Sequence, residues 1–305
     1  MAIIVNTNIT ALKTQKNLNS ATNSLNSALE RMSTGLRINK AGDDAAGLYV
    51  ATGLNTQIRG SKVAQDNVAT GNNVLSTMEG DLDVILDNLN RIRDLAVQAA
   101  NSIYDKSAMA AMKDEVQQRL DEIDRISLAS NFNGLQLLAG KGTLAEQGLR
   151  LQVGANSDAA ANCIQIDADF FADAMNSKKL GTDYNGQMPV GSLIKPANGL
   201  RGNIDSAFTN ASNAAAYIDV LDAAIDNIST KKSTIGATMN RLDAALSSLT
   251  TVIENNTAAK STIMDADIAE ESAEYTKAQI QQQTSSALLV QANALPQIAI
   301  NLVQG

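Results

Sequence analysis

Residues 218–253 read IDVLDAAIDNISTKKSTIGATMNRLDAALSSLTTVI, and their apolar members decide the fold class. Ile218, Leu221, Ile225, Ile228, Ile235, Met239, Leu242, Leu246, Leu249 and Ile253 follow in alternating steps of three and four, interrupted once where Lys232 takes a seam position. That repeat keeps one narrow apolar stripe of a helix turned toward a partner helix. No proline breaks the run, and Gly236 is its lone weak point. At about 1.5 Å of rise per residue the helix is on the order of 50 Å long. A compact globule cannot bury such a stripe, so a second long helix must lie alongside.

Val68, Leu75, Met78, Leu82, Ile85, Leu89, Ile92, Ala96 and Ala99 supply the partner, with Gly71 in the remaining slot. A third helix carries Met109, Met112, Val116, Leu120 and Ile123 on one side. Long helices with heptad seams and short connections predict an antiparallel bundle. The pattern changes at Asn133-Gly134, a strong tight-turn signal. Leu149, Leu151 and Val153 alternate, as do Ile164 and Ile166, and Gly154-Ala155-Asn156 begins a connection that joins them as a hairpin. Residues 177–200 hold two prolines and several glycines and read as a loop or reversal, with helix resuming near Asn203.

The two ends of the chain are alike. Residues 1–42 carry a sparse stripe of Leu12, Leu18, Leu25, Leu29, Met32 and Leu36, with Ala21 and Ala28 between, among Asn, Ser and Thr. Gly42 is read as the C-terminal cap of that helix, and Asp43 or Asp44 as the cap of the next. Residues 263–305 carry Ile268, Tyr275, Leu288, Ala292, Leu295, Ile298 and Leu302, with Pro296 expected to interrupt the helix. The predicted fold is therefore mainly α: a long antiparallel helical bundle or coiled-coil rod with a small β-hairpin region, both termini lying together.

Composition narrows the chemistry. The 305 residues include no Trp, no His, one Cys and three Pro, with 3% aromatic against 44% hydrophobic residues. Without His the commonest general base and metal ligand is missing. Cys163 alone makes neither an internal disulfide nor a thiolate zinc site. A net charge of −8 disfavours nucleic acid and anionic membranes as partners. No run of about 18 apolar residues is present to span a bilayer, and the N-terminus lacks the basic and apolar regions of a secretory signal. Asp43-Asp44 reads as a cap rather than an acid/base pair. Asp265-Ala266-Asp267 and Asp167-Ala168-Asp169 lack the rest of a calcium loop. Gly140-Lys141-Gly142-Thr143 fails the phosphate-loop pattern. No catalytic, cofactor or metal site is expected.

Particular motifs point to a family. Residues 28–51, ALERMSTGLRINKAGDDAAGLYVA, resemble the N-terminal signature of bacterial flagellins, and residues 284–299 around SALLVQAN resemble the C-terminal one. LRLQVGAN at 149–156 is similar to the family's strand motif. The resemblance implies a filament subunit that polymerises with itself. It implies D0 helices at 1–43 and 263–305, a D1 region at 44–176 and 201–262, and a short variable loop at 177–200. Leu18, Leu25, Leu29, Met32, Leu36, Leu288, Leu295, Ile298 and Leu302 are then the terminal assembly residues. An export chaperone and hook and cap proteins follow as partners, with an extracellular filament reached without a cleaved signal peptide. A hook–filament junction protein is the nearest rival, and an adhesive or immune ligand a secondary role.

The segment LNRIRDLAVQ at 89–98 resembles the stretch read by the vertebrate Toll-like flagellin receptor, which places Arg91 and Leu95 at its centre and Glu115 on the next helix. The bland alternative is a helical face that packs on another subunit. Thin stripes at the ends bury a few hundred Å² in a pair, several kcal/mol at about 25 cal/mol per Å². Ordering the backbone costs about 1–2 kcal/mol per residue. The ends are therefore expected to be largely disordered in the monomer and to fold on assembly.

Overall fold

The structure, a computed structural model, describes residues 8–182 and 199–304, with side chains described as far as residue 294. It divides into two compact units, Met1–Ile58 with Ile253–Gly305, and Arg59–Val252.

The second unit is built on three helices. These are α2 (Ala45–Ala99), α3 (Lys106–Ala129) and α8 (Ala211–Met264), of which α2 and α8 contribute to both units. Every apolar residue of the expected α2 seam from Val68 to Ala99 is buried. Asp105 starts α3 by accepting the Ala108 N–H at 2.8 Å, and Met109, Val116, Leu120 and Ile123 are buried below it. Polar pairs join α2 to α8 along one edge: Gln65 to Thr250, Asn72 to Asp243, Asp83 to Lys232, and Arg93 to Asp222. Each step up α2 is matched by an equal step down α8, so the two run antiparallel without drift of register.

The α8 seam differs from expectation in one of its two rows. Leu221, Ile228, Ile235, Leu242 and Leu249 are buried as read. The second buried row is Tyr217, Ala224, Lys231 and Thr238, one position before the expected Ile218, Ile225, Lys232 and Met239. Those isoleucines and Met239 flank the core, half-buried. The rotation follows from a third neighbour. Helix α6 (Ala168–Ala172) lies against α8, where the Lys231 ammonium donates to the Phe170 carbonyl at 2.5 Å and sits 4.6 Å from the centre of the Phe170 ring.

Two hairpins complete this unit. Strands β1 (Asn131–Phe132) and β2 (Leu135–Gln136) pair antiparallel about Asn133 and Gly134. Both turn residues have positive φ, 49° and 83°, which suits the twist of the strands they join. Strands β3 (Leu149–Gln152) and β4 (Cys163–Ile166) pair with Leu149 opposite Ile166 and Leu151 opposite Ile164, the hairpin read from the alternation. Its Leu151 rests on Gly71 of α2, where an added Cβ would stand 2.6 Å from Leu151 Cδ1. The empty seam slot is thus a seat for the hairpin.

The helix expected to run on from Asn203 is broken. Helix α7 (Gly199–Ala207) ends before α8, and Asn210 accepts the Asn213 N–H at 2.8 Å to start α8 afresh. Helices α4 (Thr143–Gln147), α5 (Ala159–Asn162) and α6 are too short to leave a periodic signal. On the near side of the expected loop, Ser177 donates N–H and Oγ–H to Asp124 at 2.7 and 2.9 Å. Arg201 on the far side donates to Ser177 Oγ, Asp121 and Asp124 at 2.5–2.9 Å. Buried Tyr217 donates its hydroxyl to the Leu200 carbonyl at 3.1 Å, and burial pushes that phenol's pKa up. Most of the loop placed at 177–200, residues 183–198, lies outside the described residues.

In the first unit, α1 (Ile9–Thr34) and α9 (Ile268–Gln304) pair antiparallel. Helix α1 ends at Gly35, not Gly42: Gly35 takes φ 69° and donates its N–H to the Arg31 carbonyl at 2.8 Å. Asp44 accepts from Gly47 N–H at 2.9 Å and begins α2, while Asp43 accepts from the Asn39 and Lys40 N–H groups. Leu36 consequently lies off the helix, in an antiparallel bridge with Asp265. Beside it, Arg37 donates to the Met264 and Ile263 carbonyls at 2.7 and 2.8 Å.

One expectation for the ends is corrected. Helix α9 runs through Pro296. The proline removes the N–H that would reach the Ala292 carbonyl, and Asn8 Nδ2 donates to that carbonyl instead at 2.7 Å. The described parts of the two ends form paired helices, linked by Arg31–Glu271 at 3.2 Å and Gln282–Thr22 at 3.2 Å.

Candidate functional site

The paired termini are built from an unusual choice of inward residues. Buried between α1 and α9 are Ala21, Ala28, Ala278 and Ala292, with Leu18, Leu25, Met32, Tyr275 and Leu289 half-buried beside them. Small side chains let two helices approach closely while burying little area. Other large apolar residues stand off that seam, exposed on several sides of the pair. Leu12 is 67% exposed, Leu288 55% and Val290 71%, and Ile9, Leu29 and Ile280 are exposed as well.

The sequence-predicted assembly residues therefore separate. Leu18, Leu25 and Met32 belong to the inner seam, Leu29 and Leu288 to the outer face, and Leu36 to the bridge beyond α1. The side chains of Leu295, Ile298 and Leu302 lie outside the described residues. Ile9, Ile280 and Val290 were missed because they fall off the heptad positions. The signal that finds them is the leftover: large apolar residues that a heptad seam does not absorb.

A second surface lies on α2 and α3. Arg91 donates Nε and Nη2 to the two Glu115 oxygens at 3.0 and 3.4 Å. Arg119 adds a bond to Glu115 Oε1 at 3.3 Å and another to Asn88 Oδ1 at 3.2 Å. The Arg91 hydrogen bond chiefly holds the Glu115 carboxyl below the usual carboxylate range, partial desolvation works upward, and Arg119 adds to the lowering. Leu95 does not join this face. It is 3% exposed, part of the core, and the exposed apolar neighbour two residues on is Val97.

Among the described residues no group of three or more His, Cys, Asp or Glu is placed to hold a metal ion. No described helix is long and apolar enough to cross a membrane.

Residues 5–143 match the bacterial flagellin N-terminal helical region, and residues 218–303 match the bacterial flagellin C-terminal helical region. The chain belongs to the bacterial flagellin family. It is 37% identical to a flagellin of Bacillus subtilis (strain 168) over 98% of this chain and 99% of that relative. It is 34% identical to the flagellar filament core protein flaB2 of Brachyspira hyodysenteriae, over 99% of this chain and 100% of that one. A solved structure from Vibrio parahaemolyticus, assigned as a flagellar hook-associated protein, shares the fold at 16% identity with a TM-score of 0.55, covering 73% of this chain and all of that one. As a flagellin the chain is a structural subunit of the bacterial flagellar filament, and its architecture is mainly α with two small antiparallel strand pairs.

Proposed function

We propose that α1 and α9 are the elements through which copies of this flagellin polymerise. Residues 1–43 and 263–305 form the innermost shell, D0, and 44–176 with 201–262 form the next, D1. The observation that supports the reading is the set of exposed apolar side chains, Ile9, Leu12, Leu29, Ile280, Leu288 and Val290, carried around a pair whose fully buried apolar positions are alanine. Fully burying one such side chain contributes about 1.5–3 kcal/mol. Several per subunit, covered by neighbouring copies, outweigh what the pair gains alone. Exposed apolar side chains of this kind also suit an export chaperone before assembly and hook and cap proteins at the filament ends. Export without a cleaved signal peptide, to a filament outside the cell, completes the reading.

Leu12→Gln with Leu288→Gln tests it, because both side chains are exposed and the paired helices stand without them. The double variant should keep the helical circular dichroism of the parent and lose salt-induced polymerisation. Polymerisation at the parent's critical concentration would refute the assignment.

A second use is proposed for the Arg91–Glu115 surface as the contact for the vertebrate Toll-like receptor, with Leu95 supporting it from beneath. The support is local: a bidentate pair, exposed, bridging α2 and α3 within a segment that resembles the receptor-read stretch.

A further inference from the structure

A heptad seam made only of aliphatic residues does not specify its own alignment. If α8 moved by seven residues against α2, Leu221, Ile228, Ile235, Leu242 and Leu249 would simply exchange places. The facing row of α2, with Val68, Leu75, Leu82 and Leu89 at the same spacing, is equally indifferent, so the choice falls to the unequal second row of α8, Tyr217, Ala224, Lys231 and Thr238, and to the polar pairs beside it. Such repeats are prone to populate shifted pairings unless polar residues break the degeneracy.

Two adjacent residues of α8, one in that second row and one beside it, carry positive charge here. Lys231 is buried in the seam, its ammonium donating to the Phe170 carbonyl of α6 and lying over the Phe170 ring. Lys232, the next residue around the helix, reaches the other way and pairs with Asp83 of α2. Neighbours on a helix point about 100° apart, so the pair ties α8 to two different elements at one height.

A shift of seven in either direction places Ala224 or Thr238 under Phe170 and Ile225 or Met239 opposite Asp83. Arg93, now bonded to Asp222 at 2.6 Å, would face Ala215 or Ser229. Neither alternative restores an ion pair, and a shifted Lys231 would leave its carbonyl partner. The interruption in the apolar repeat thus coincides with the point of attachment.

We propose that Lys231 and Lys232 together form a register lock that selects one alignment of α8 against α2 and α6 from those the aliphatic rows allow. The lock acts by excluding alternatives rather than by adding stability, since methionine at either position keeps the apolar contacts of the side-chain stem.

The test uses the full-length chain with Cys163→Ser. One version carries Asn72→Cys with Asp243→Cys, which reports the native alignment. A second carries Asn72→Cys with Thr250→Cys, which reports a seven-residue shift. Both are treated with a short bis-maleimide, with and without Lys231→Met and Lys232→Met. With both lysines present the native pair should crosslink and the shifted pair should not. In the doubly substituted chain the shifted crosslink should rise severalfold while helical content and the melting midpoint stay near the parent's. An unchanged shifted crosslink overturns the proposal. So does a chain that loses its helical signal, because the lysines would then be holding the fold itself; the single Lys232→Met chain, whose site is partly exposed, separates the two roles.

Discussion

Asn8 bonds to both terminal helices at one end of their pair. Its Oδ1 accepts the Ala11 N–H at 3.0 Å to cap α1, and its Nδ2 donates at 2.7 Å to the Ala292 carbonyl that Pro296 leaves without a helical donor. Asn8→Ala should cost about 1–2 kcal/mol locally, read as faster amide exchange in the first turn of α1 and around Ala292. Asn8→Asp keeps the cap and loses the donor. It should restore protection in α1 and leave the region of Ala292 fast, an asymmetry that a general loosening would not produce.

Glycines at two positions should differ sharply when replaced. Gly148 has φ 73°, and a Cβ there would lie 2.4 Å from the Ile166 carbonyl oxygen. Gly148→Ala therefore combines backbone strain with a clash against main chain. About 2 kcal/mol or more is expected in chemical unfolding. Gly71→Ala meets only the end of the Leu151 side chain and has ordinary helical φ. It should cost less than Gly148→Ala, since that side chain can turn aside and alanine favours helix.

The Arg201 clasp predicts a larger loss than its partial exposure suggests. Arg201→Ala removes donors from Asp121, Asp124 and Ser177 together and leaves the half-buried Asp124 to Ser177 alone. On the order of 2–3 kcal/mol is expected, with amides of residues 177–182 and 199–203 exchanging first.

Acid should weaken the α2–α3 surface through Glu115. Its folded pKa lies below the ordinary carboxylate value because Arg91 donates to it. The folded state thus binds this proton less readily than the unfolded chain. The contribution is complete above the unfolded carboxylate pKa and is lost as pH falls through the folded value. Glu115→Gln should flatten that part of the acid-unfolding curve. A carbon-detected NMR titration should place Glu115 below an exposed glutamate, and Arg91→Ala should bring it back up.

The receptor reading makes a separate forecast. Arg91→Ala and Glu115→Ala should each lower potency in a receptor-activation assay by about tenfold, the effect of losing one charged contact of roughly 1.4 kcal/mol. Equal potency for both variants and parent would remove the assignment. Leu95→Ala should act differently, lowering the unfolding midpoint as a cavity in the core does.

The long helices were legible because heptad spacing is a physical demand repeated many times. One slot of the α2 seam held glycine and still read correctly. The hairpin at 149–166 was legible from alternation alone. What escaped was set by neighbours distant in sequence. The second row of α8 turned one position because α6 lies against Lys231, and no spacing within 218–253 records that. The cap at Gly35 was passed over for Gly42 because both glycines suit a helix end. At the termini the sequence marked the apolar residues without telling inner from outer. Leu288 and Leu289 are adjacent, and only the pairing with α1 shows which faces in.

Neighbouring copies are proposed to cover the exposed apolar side chains of α1 and α9. Amide hydrogen exchange over residues 9–34 and 268–294, measured on dilute monomer and on its polymer, tests it most directly. Weak protection is expected in the monomer, where the fully buried apolar positions are alanine, and a large rise in both segments on polymerisation. Equal protection in the two states would contradict it.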